Sequence, residues 1–174
     1  MLAVSAVITH VMPCLTNIGI TRSVASLAAS AVPIISITGR LGFGWIGDHT
    51  DKRRITAISF SIMALGLLFF GLFSLGENYM LIPFLISFGI GWGGSVTMRA
   101  ALIREYYGSR RFGTIYGLVV GFAMLGNIAG APLAGWIFDS WGTYEWAWFT
   151  LSGTSLLGML LVLSLPAFHR KLTY

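Results

Sequence analysis

Residues 23–76 read SVASLAASAVPIISITGRLGFGWIGDHTDKRRITAISFSIMALGLLFFGLFSLG. Two apolar runs, 23–46 and 55–76, flank a turn that gathers Asp48, Asp51, Lys52, Arg53 and Arg54. A bilayer core is crossed by about 20 apolar residues in a helix, so each run is long enough for one passage. Backbone polar groups inside lipid must be satisfied within the segment, which makes helix the default. The alternating polarity of a membrane barrel is absent.

Outward from this pair the pattern continues. Apolar spans are read at 1–18, 79–105, 113–138 and 146–168. Charged residues make up 10% of the 174, against about 25% in soluble domains. Too little polar surface remains to cover a water-soluble particle, and six spans leave no room for a separate soluble domain. The expected fold is an all-α integral membrane protein, a single six-transmembrane-helix bundle over 1–174. Its first three-helix unit covers 1–76, its second covers 79–168, and a tail covers 169–174.

If the spans alternate in direction, eight of the eleven Lys and Arg fall on one side. These are Lys52, Arg53, Arg54, Arg104, Arg110, Arg111, Arg170 and Lys171. The opposite turns hold Arg22, Glu77, Asp139 and Glu145. The positive-inside rule then places both termini in the cytoplasm of a multi-pass protein of the cell (inner or plasma) membrane. The net charge of +5 follows from this topology, so no nucleic-acid partner is expected. Trp136, Trp141, Tyr144, Trp146 and Trp148 are expected to form an aromatic belt at the outer interface. The first span is at the short end for a crossing, and Pro13 can bend it. That leads to the expectation that the native helix begins upstream, in a truncated chain or one half of a split transporter.

Gly44-Trp45-Ile46-Gly47-Asp48 recurs as Gly135-Trp136-Ile137-Phe138-Asp139, each copy closing the second helix of a three-helix unit. One Asp would face the cytoplasm and the other the outside, as expected of two inverted repeats. Two G-x-G-x-x-G matches, at 42–47 and 89–94, lie inside membrane runs. They lack the strand–turn–helix setting of dinucleotide binding and are not read that way. Gly113, Gly117 and Gly121 recur every four residues, and Gly126 and Gly130 repeat the step, beside Pro132. Small residues on one face let helices approach, so these are read as helix packing, with a sliding surface between moving helices as the companion reading.

The segment 39–54, with Gly39, Gly44, Asp48, Asp51, Lys52, Arg53 and Arg54, resembles the cytoplasmic loop signature G-x-L-x-D-R-x-G-R-[KR] of the major facilitator superfamily. His49 stands where that signature has Arg, and Asp51 where it has its later Gly. Residues 126–135 resemble the family's G-x-x-x-G-P-x-x-G antiporter pattern with one residue inserted before the proline. Residues 104–108 followed by 110–117 resemble the ten–eleven loop of monocarboxylate and oxalate:formate porters. The resemblance covers essentially the whole chain and matches helices seven to twelve. It implies half of a twelve-helix transporter, with a second six-helix half as partner. Residues 39, 44, 48 and 51–54 would act as the cytoplasmic gating loop.

Four polar residues within the spans are candidate substrate-binding groups. Arg40 lies eight residues before Asp48, about 12 Å inside the helix end. A cation at that depth faces a watery cavity or a partner. The resembled porters carry a functional Arg at this place in an R-x-x-x-G context, which Arg40 and Gly44 reproduce. The two readings of Arg40 are substrate anchor and structural ion pair. Arg99 can serve substrate or gate, or pair with Glu105. His10 is read as a cavity-facing proton or hydrogen-bond group, or as plain polar packing. Asn127 is explained by hydrogen bonding across helices. No cation occurs between Gly113 and Phe138, where some dicarboxylate members carry a second one, and this favours a monocarboxylate.

The three histidines are isolated and Cys14 is the one cysteine, so no metal site is expected, and no phosphate-cradling loop suggests ATP. No cofactor and no enzyme activity are expected. The reading is alternating-access transport of a small organic anion, with a coupling proton left unassigned. A drug or sugar exporter of the same superfamily, or an inactive half-transporter or scaffold, is the alternative.

Overall fold

The computed structural model describes residues 1–166. The end of the sixth expected span (167–168) and the expected tail 169–174, with Arg170 and Lys171, lie outside the described residues. Six helices follow one another: α1 (Leu2–Asn17), α2 (Arg22–His49), α3 (Lys52–Ser74), α4 (Leu81–Tyr107), α5 (Phe112–Trp141) and α6 (Glu145–Ser164). A single 3-10 turn, Asn78–Met80, precedes α4. Five helices are long and apolar enough to cross a membrane, and α1 is shorter. The chain is an all-helical, multi-pass membrane bundle.

Helix ends run past the apolar runs that reveal them. α2 has 28 residues and α5 has 30, about 42 and 45 Å at 1.5 Å per residue. Both exceed a hydrocarbon core of about 30 Å. The charged turn is therefore mostly helix. Only Thr50 and Asp51 separate α2 from α3. Asp51 caps α3 by accepting the Arg53 backbone N–H at 2.9 Å, so α3 starts at Lys52 and not at the first apolar residue, Ile55. At the far end of α5, Gly142 adopts a left-handed conformation and its N–H closes on the Phe138 carbonyl.

Packing is uneven. α4 lies against α2 on one side and α3 on another, and α3 lies against α6. α1 lies against α5. These two groups meet mainly where α1 touches α2, while α5 approaches α4 and α6 sparingly. Glycines explain the tight contacts. A Cβ on Gly93 would collide with the Ser36 carbonyl oxygen, and one on Gly39 with the Ile90 carbonyl oxygen. A Cβ on Gly91 would come within 2.5 Å of the Met63 nitrogen, and one on Gly66 within 2.6 Å of the Phe88 nitrogen. Backbone-to-backbone approach of this kind is how helices gain contact in lipid, where apolar burial supplies little drive.

Aromatic rings fill the space among α3, α4 and α6. Phe70 stacks on Phe84 at 4.0 Å and meets Trp148 at 4.5 Å. Tyr144 continues the row, 5.9 Å from Trp148 and 4.3 Å from Phe138. Such pairs contribute about 0.5–1.5 kcal/mol each beyond burial. The expected aromatic belt is corrected here. Trp136, Trp141 and Trp146 are exposed, but Trp148 and Tyr144 are core residues. Clustering in sequence hid that α6 turns some of these rings inward.

Candidate functional site

Arg40 sits at the α2–α4 crossing. Its neighbour Gly39 is pressed against α4, and its own backbone nitrogen lies 2.9 Å from where a Gly93 Cβ would stand. One turn on, Gly44 faces the Thr97 methyl at 3.6 Å. The backbone at Arg40 is thus held by two close glycine contacts, while its side chain is exposed. No carboxylate pairs with it among the described residues, whose ion pairs are Lys52–Glu105 and Arg54–Asp51. The structural ion-pair reading finds no partner among the described residues.

Arg99 lies on the other flank of α4. It lines a cavity of about 280 Å³ walled by α3, α4, α5 and α6. Pairing with Glu105, one of the expected roles, does not occur, because Glu105 turns to Lys52 at 3.5 Å. A second cavity, about 390 Å³, lies among α1, α4 and α5 and holds Asn127 with Ser5, Thr9 and Trp92. Asn127 does not make the expected bond across helices. Its amide nitrogen reaches only the Met124 sulfur on its own helix at 3.9 Å, and its buried Oδ1 has no partner. Trp92, Val96, Arg99 and Ile103 follow one another along a single face of α4 toward these two cavities. That 3.6-residue rhythm is present in the sequence, where only the G-x-G-x-x-G match at 89–94 is weighed.

His10 is a cross-link. Its Nε2 meets the Ala131 carbonyl oxygen at 2.9 Å, and a carbonyl only accepts, so Nε2 carries the proton. Nδ1 then accepts from the Tyr144 hydroxyl at 3.3 Å. Burial pushes the Tyr144 phenol up, with Cys14 and Asp139 adding to the shift, which keeps this donor protonated. Both ring nitrogens are engaged in joining α1 to α5 and to the start of α6. This is the plain packing role of the two expected for His10, and the ring is not turned into an open cavity.

The basic turn ties three helix ends together. Lys52 pairs with Glu105 of α4, and Arg53 donates from Nη1 to the Leu165 carbonyl oxygen after α6. Tyr106 donates to the Pro166 carbonyl oxygen at 2.6 Å. Arg54 pairs with Asp51 at 3.6 Å within the turn. Asp48 is exposed and makes no ion pair among the described residues.

The five α5 glycines separate into two sets. Gly126 and Gly130 press on Leu2 of α1. Gly113, Gly117 and Gly121 meet nothing within 4 Å, so packing inside this bundle is corrected for these three. The five-residue step from Gly121 to Gly126 carries the stripe about 140° around the helix, which puts the two sets on different faces. Pro132 is exposed within the continuous helix α5.

Comparison with known proteins agrees with this architecture. Monocarboxylate transporter 12 of Rattus norvegicus is 25% identical over 170 residues, 97% of this chain and 35% of the relative. Monocarboxylate transporter 13 of the same organism is 26% identical over 162 residues, 91% of this chain and 37% of the relative. A putative inorganic phosphate transporter 1-13 of Oryza sativa subsp. japonica is 31% identical over 99 residues, 54% of this chain and 20% of the relative. The chain spans about a third of the length of the curated monocarboxylate transporters it matches. The family model for the Major Facilitator Superfamily matches residues 1–172. With six helices, a basic helix-two-to-three turn and a glycine-packed core matched along nearly the whole chain, this protein belongs to the Major Facilitator Superfamily.

Proposed function

We propose that the chain works as the C-terminal six-helix half of a secondary transporter for a small organic anion, a monocarboxylate, moved by alternating access. In this reading 1–76 and 79–168 are inverted three-helix units. The pairing of α2 with α4 and of α5 with α1 supports it, since each unit's second helix lies on the other unit's first. The basic turns and both termini face the cytoplasm of the cell membrane, and a second six-helix half faces the exposed side of α2 and α5. Residues 48–54 hold the cytoplasmic gate through their ties to α4 and α6.

The observation that carries the anion reading is Arg40. It is a cation well inside a membrane helix, backed by glycine contacts and without an acidic partner among the described residues. An intramembrane charge is costly unless paired, and a guanidinium fits a carboxylate in a two-pronged geometry. Asn127, with an unbonded Oδ1, adds a polar group in the α1–α4–α5 cavity.

The test uses the complete transporter, both halves, in proteoliposomes, with labelled short monocarboxylates, dicarboxylates, phosphate, sugars and neutral drugs. Losing a charge-assisted hydrogen bond of about 1.5–3 kcal/mol predicts that Arg40→Gln lowers monocarboxylate uptake about 10- to 100-fold. Arg40→Lys retains part of it. Unchanged uptake in Arg40→Gln, or transport confined to neutral compounds, rejects the proposal.

A further inference from the structure

The Arg99 cavity is separate from the Arg40 flank of α4, and what lines it is unlike a path for a small hydrophilic solute. Phe60, Leu102, Ile103, Val119 and Val162 dominate the wall. At the basic end the floor is closed by Tyr106 and by Leu165, whose carbonyl oxygen accepts from Arg53. Into this apolar space points one cation, Arg99, with no carboxylate paired to it among the described residues. Val119 of α5 and Val162 of α6 line its remaining side, and these two helices touch each other only sparingly. The cavity thus opens sideways, toward lipid.

Depth points the same way. Arg99 lies eight residues before Tyr107, the last residue of α4, about 12 Å along the axis. α4 has 27 residues, about 40 Å, against a hydrocarbon core of about 30 Å. With α4 centred in the core, Arg99 is about 7 Å below the hydrocarbon boundary, a depth from which an arginine stem reaches the interface. An amphiphile at the interface therefore meets a cation at its head and an apolar slot beside its chain. A volume of about 280 Å³ is at the small end of ligand pockets, enough for the first part of one chain and not for two.

We infer that this cavity binds a free fatty acid from the surrounding membrane leaflet, its carboxylate on Arg99 and its chain leaving between Val119 and Val162. The guanidinium takes the carboxylate in a bidentate pair. Thr56 and Ser95 also line the cavity, but their hydroxyls donate to the Lys52 and Trp92 carbonyl oxygens, so Arg99 is the donor left for the carboxylate. The site does not depend on Arg40 or on the identity of the transported solute.

The complete transporter, reconstituted in phosphatidylcholine vesicles, is irradiated with an alkynyl, diazirine-bearing palmitic acid, and cross-links are mapped by mass spectrometry. Cross-links are expected on α4 near Leu102 and Ile103, at Val119 and at Val162. The corresponding hexadecanol probe should label these positions at least 10-fold less in the unmodified protein, a comparison that needs no variant. Arg99→Gln should lower acid labelling about 10-fold, while Arg99→Lys keeps part of it. Val119→Trp, which leaves the charge and fills the slot, should also remove it, with gel filtration checking the fold. Arg40→Gln should leave labelling unchanged even if it abolishes uptake, which separates this inference from the transport proposal. Equal labelling by acid and alcohol, or cross-links confined to other faces, overturns the inference. So does displacement of the probe by a transported short-chain acid, since the cavity would then belong to the transport path.

Discussion

Replacing Gly93 with alanine tests whether the α2–α4 crossing rests on backbone contact. The new methyl would collide with the Ser36 carbonyl oxygen and stand 2.9 Å from both the Ser36 carbon and the Arg40 nitrogen. None of these atoms can swing away as a side chain can, so the helices must part. Overpacking of this kind costs about 1–3 kcal/mol. Alanine's better helix preference returns about 1 kcal/mol of that. The net expectation is up to about 2 kcal/mol of destabilisation, a factor of up to about 30 in the unfolding equilibrium. Gly153→Ala in α6, away from the face assigned to the second half, is the matched control, because its methyl meets nothing within 4 Å. Only the helix preference acts there, so it should be neutral or stabilising by up to about 1 kcal/mol. The assay is reversible denaturant unfolding of the complete transporter in mixed micelles, read by tryptophan fluorescence. Gly39→Ala should behave like Gly93→Ala, since its methyl meets the Ile90 carbonyl oxygen. The pair should be less than additive, because either change already separates the same two helices. Equal stability of Gly93→Ala and Gly153→Ala would refute backbone contact as the basis of the α2–α4 crossing.

Other outcomes follow from single contacts. Asp51→Ala removes the cap on Arg53 N–H and the partner of Arg54; it should cost about 0.5–2 kcal/mol and speed amide exchange in the first turn of α3. His10→Phe and Tyr144→Phe each remove the 3.3 Å bond between them. A double-mutant cycle should therefore show coupling of about 0.5–1.5 kcal/mol, and no coupling would mean that the two rings merely pack. Lys52→Met breaks an ion pair that is partly exposed on both sides, so its stability change should stay within about 1 kcal/mol, measured by the same unfolding curve.

The fold was legible because span length and charge placement are read against the bilayer itself. All six helices fall where the apolar runs lie, and the basic turns close one end. Helix ends were less legible, because α2 runs to His49 and α3 starts at Lys52 through charged residues that hydropathy assigns to a loop. The site was legible in part. Arg40 announced itself as a cation within an apolar run, and the structure shows why its backbone is fixed, through glycines 39 and 93. The packing glycines were legible in part: Gly126 and Gly130 meet α1, while Gly113, Gly117 and Gly121 meet nothing within this bundle. The even spacing of 113, 117 and 121 drew attention, yet it is the less regular set 89, 91, 93 and 94 that meets backbone and side chains on α2 and α3. Periodicity shows which residues share a face and is silent about what that face meets. His10 illustrates the same limit, since its partners Ala131 and Tyr144 are more than a hundred residues away.

The contact pattern also separates where the bundle is stiff from where it can give. α2, α3, α4 and α6 are locked by glycine contacts, by the stacked rings around Phe70 and by the basic-turn ties. α1 and α5 pack on each other and join this block mainly through α2. Both cavities, the one with Arg99 and the one with Asn127, lie along the seam between α5 and the block. Segments with few buried contacts open at the lowest free energy, so motion of α5 against α4 and α6 breaks the least packing. Arg40 belongs to the other side of that division, on the crossing where close glycine contacts hold its backbone. A polar group with no partner costs least where the packing is already loose, and Asn127 Oδ1, unbonded beside the seam, fits that rule.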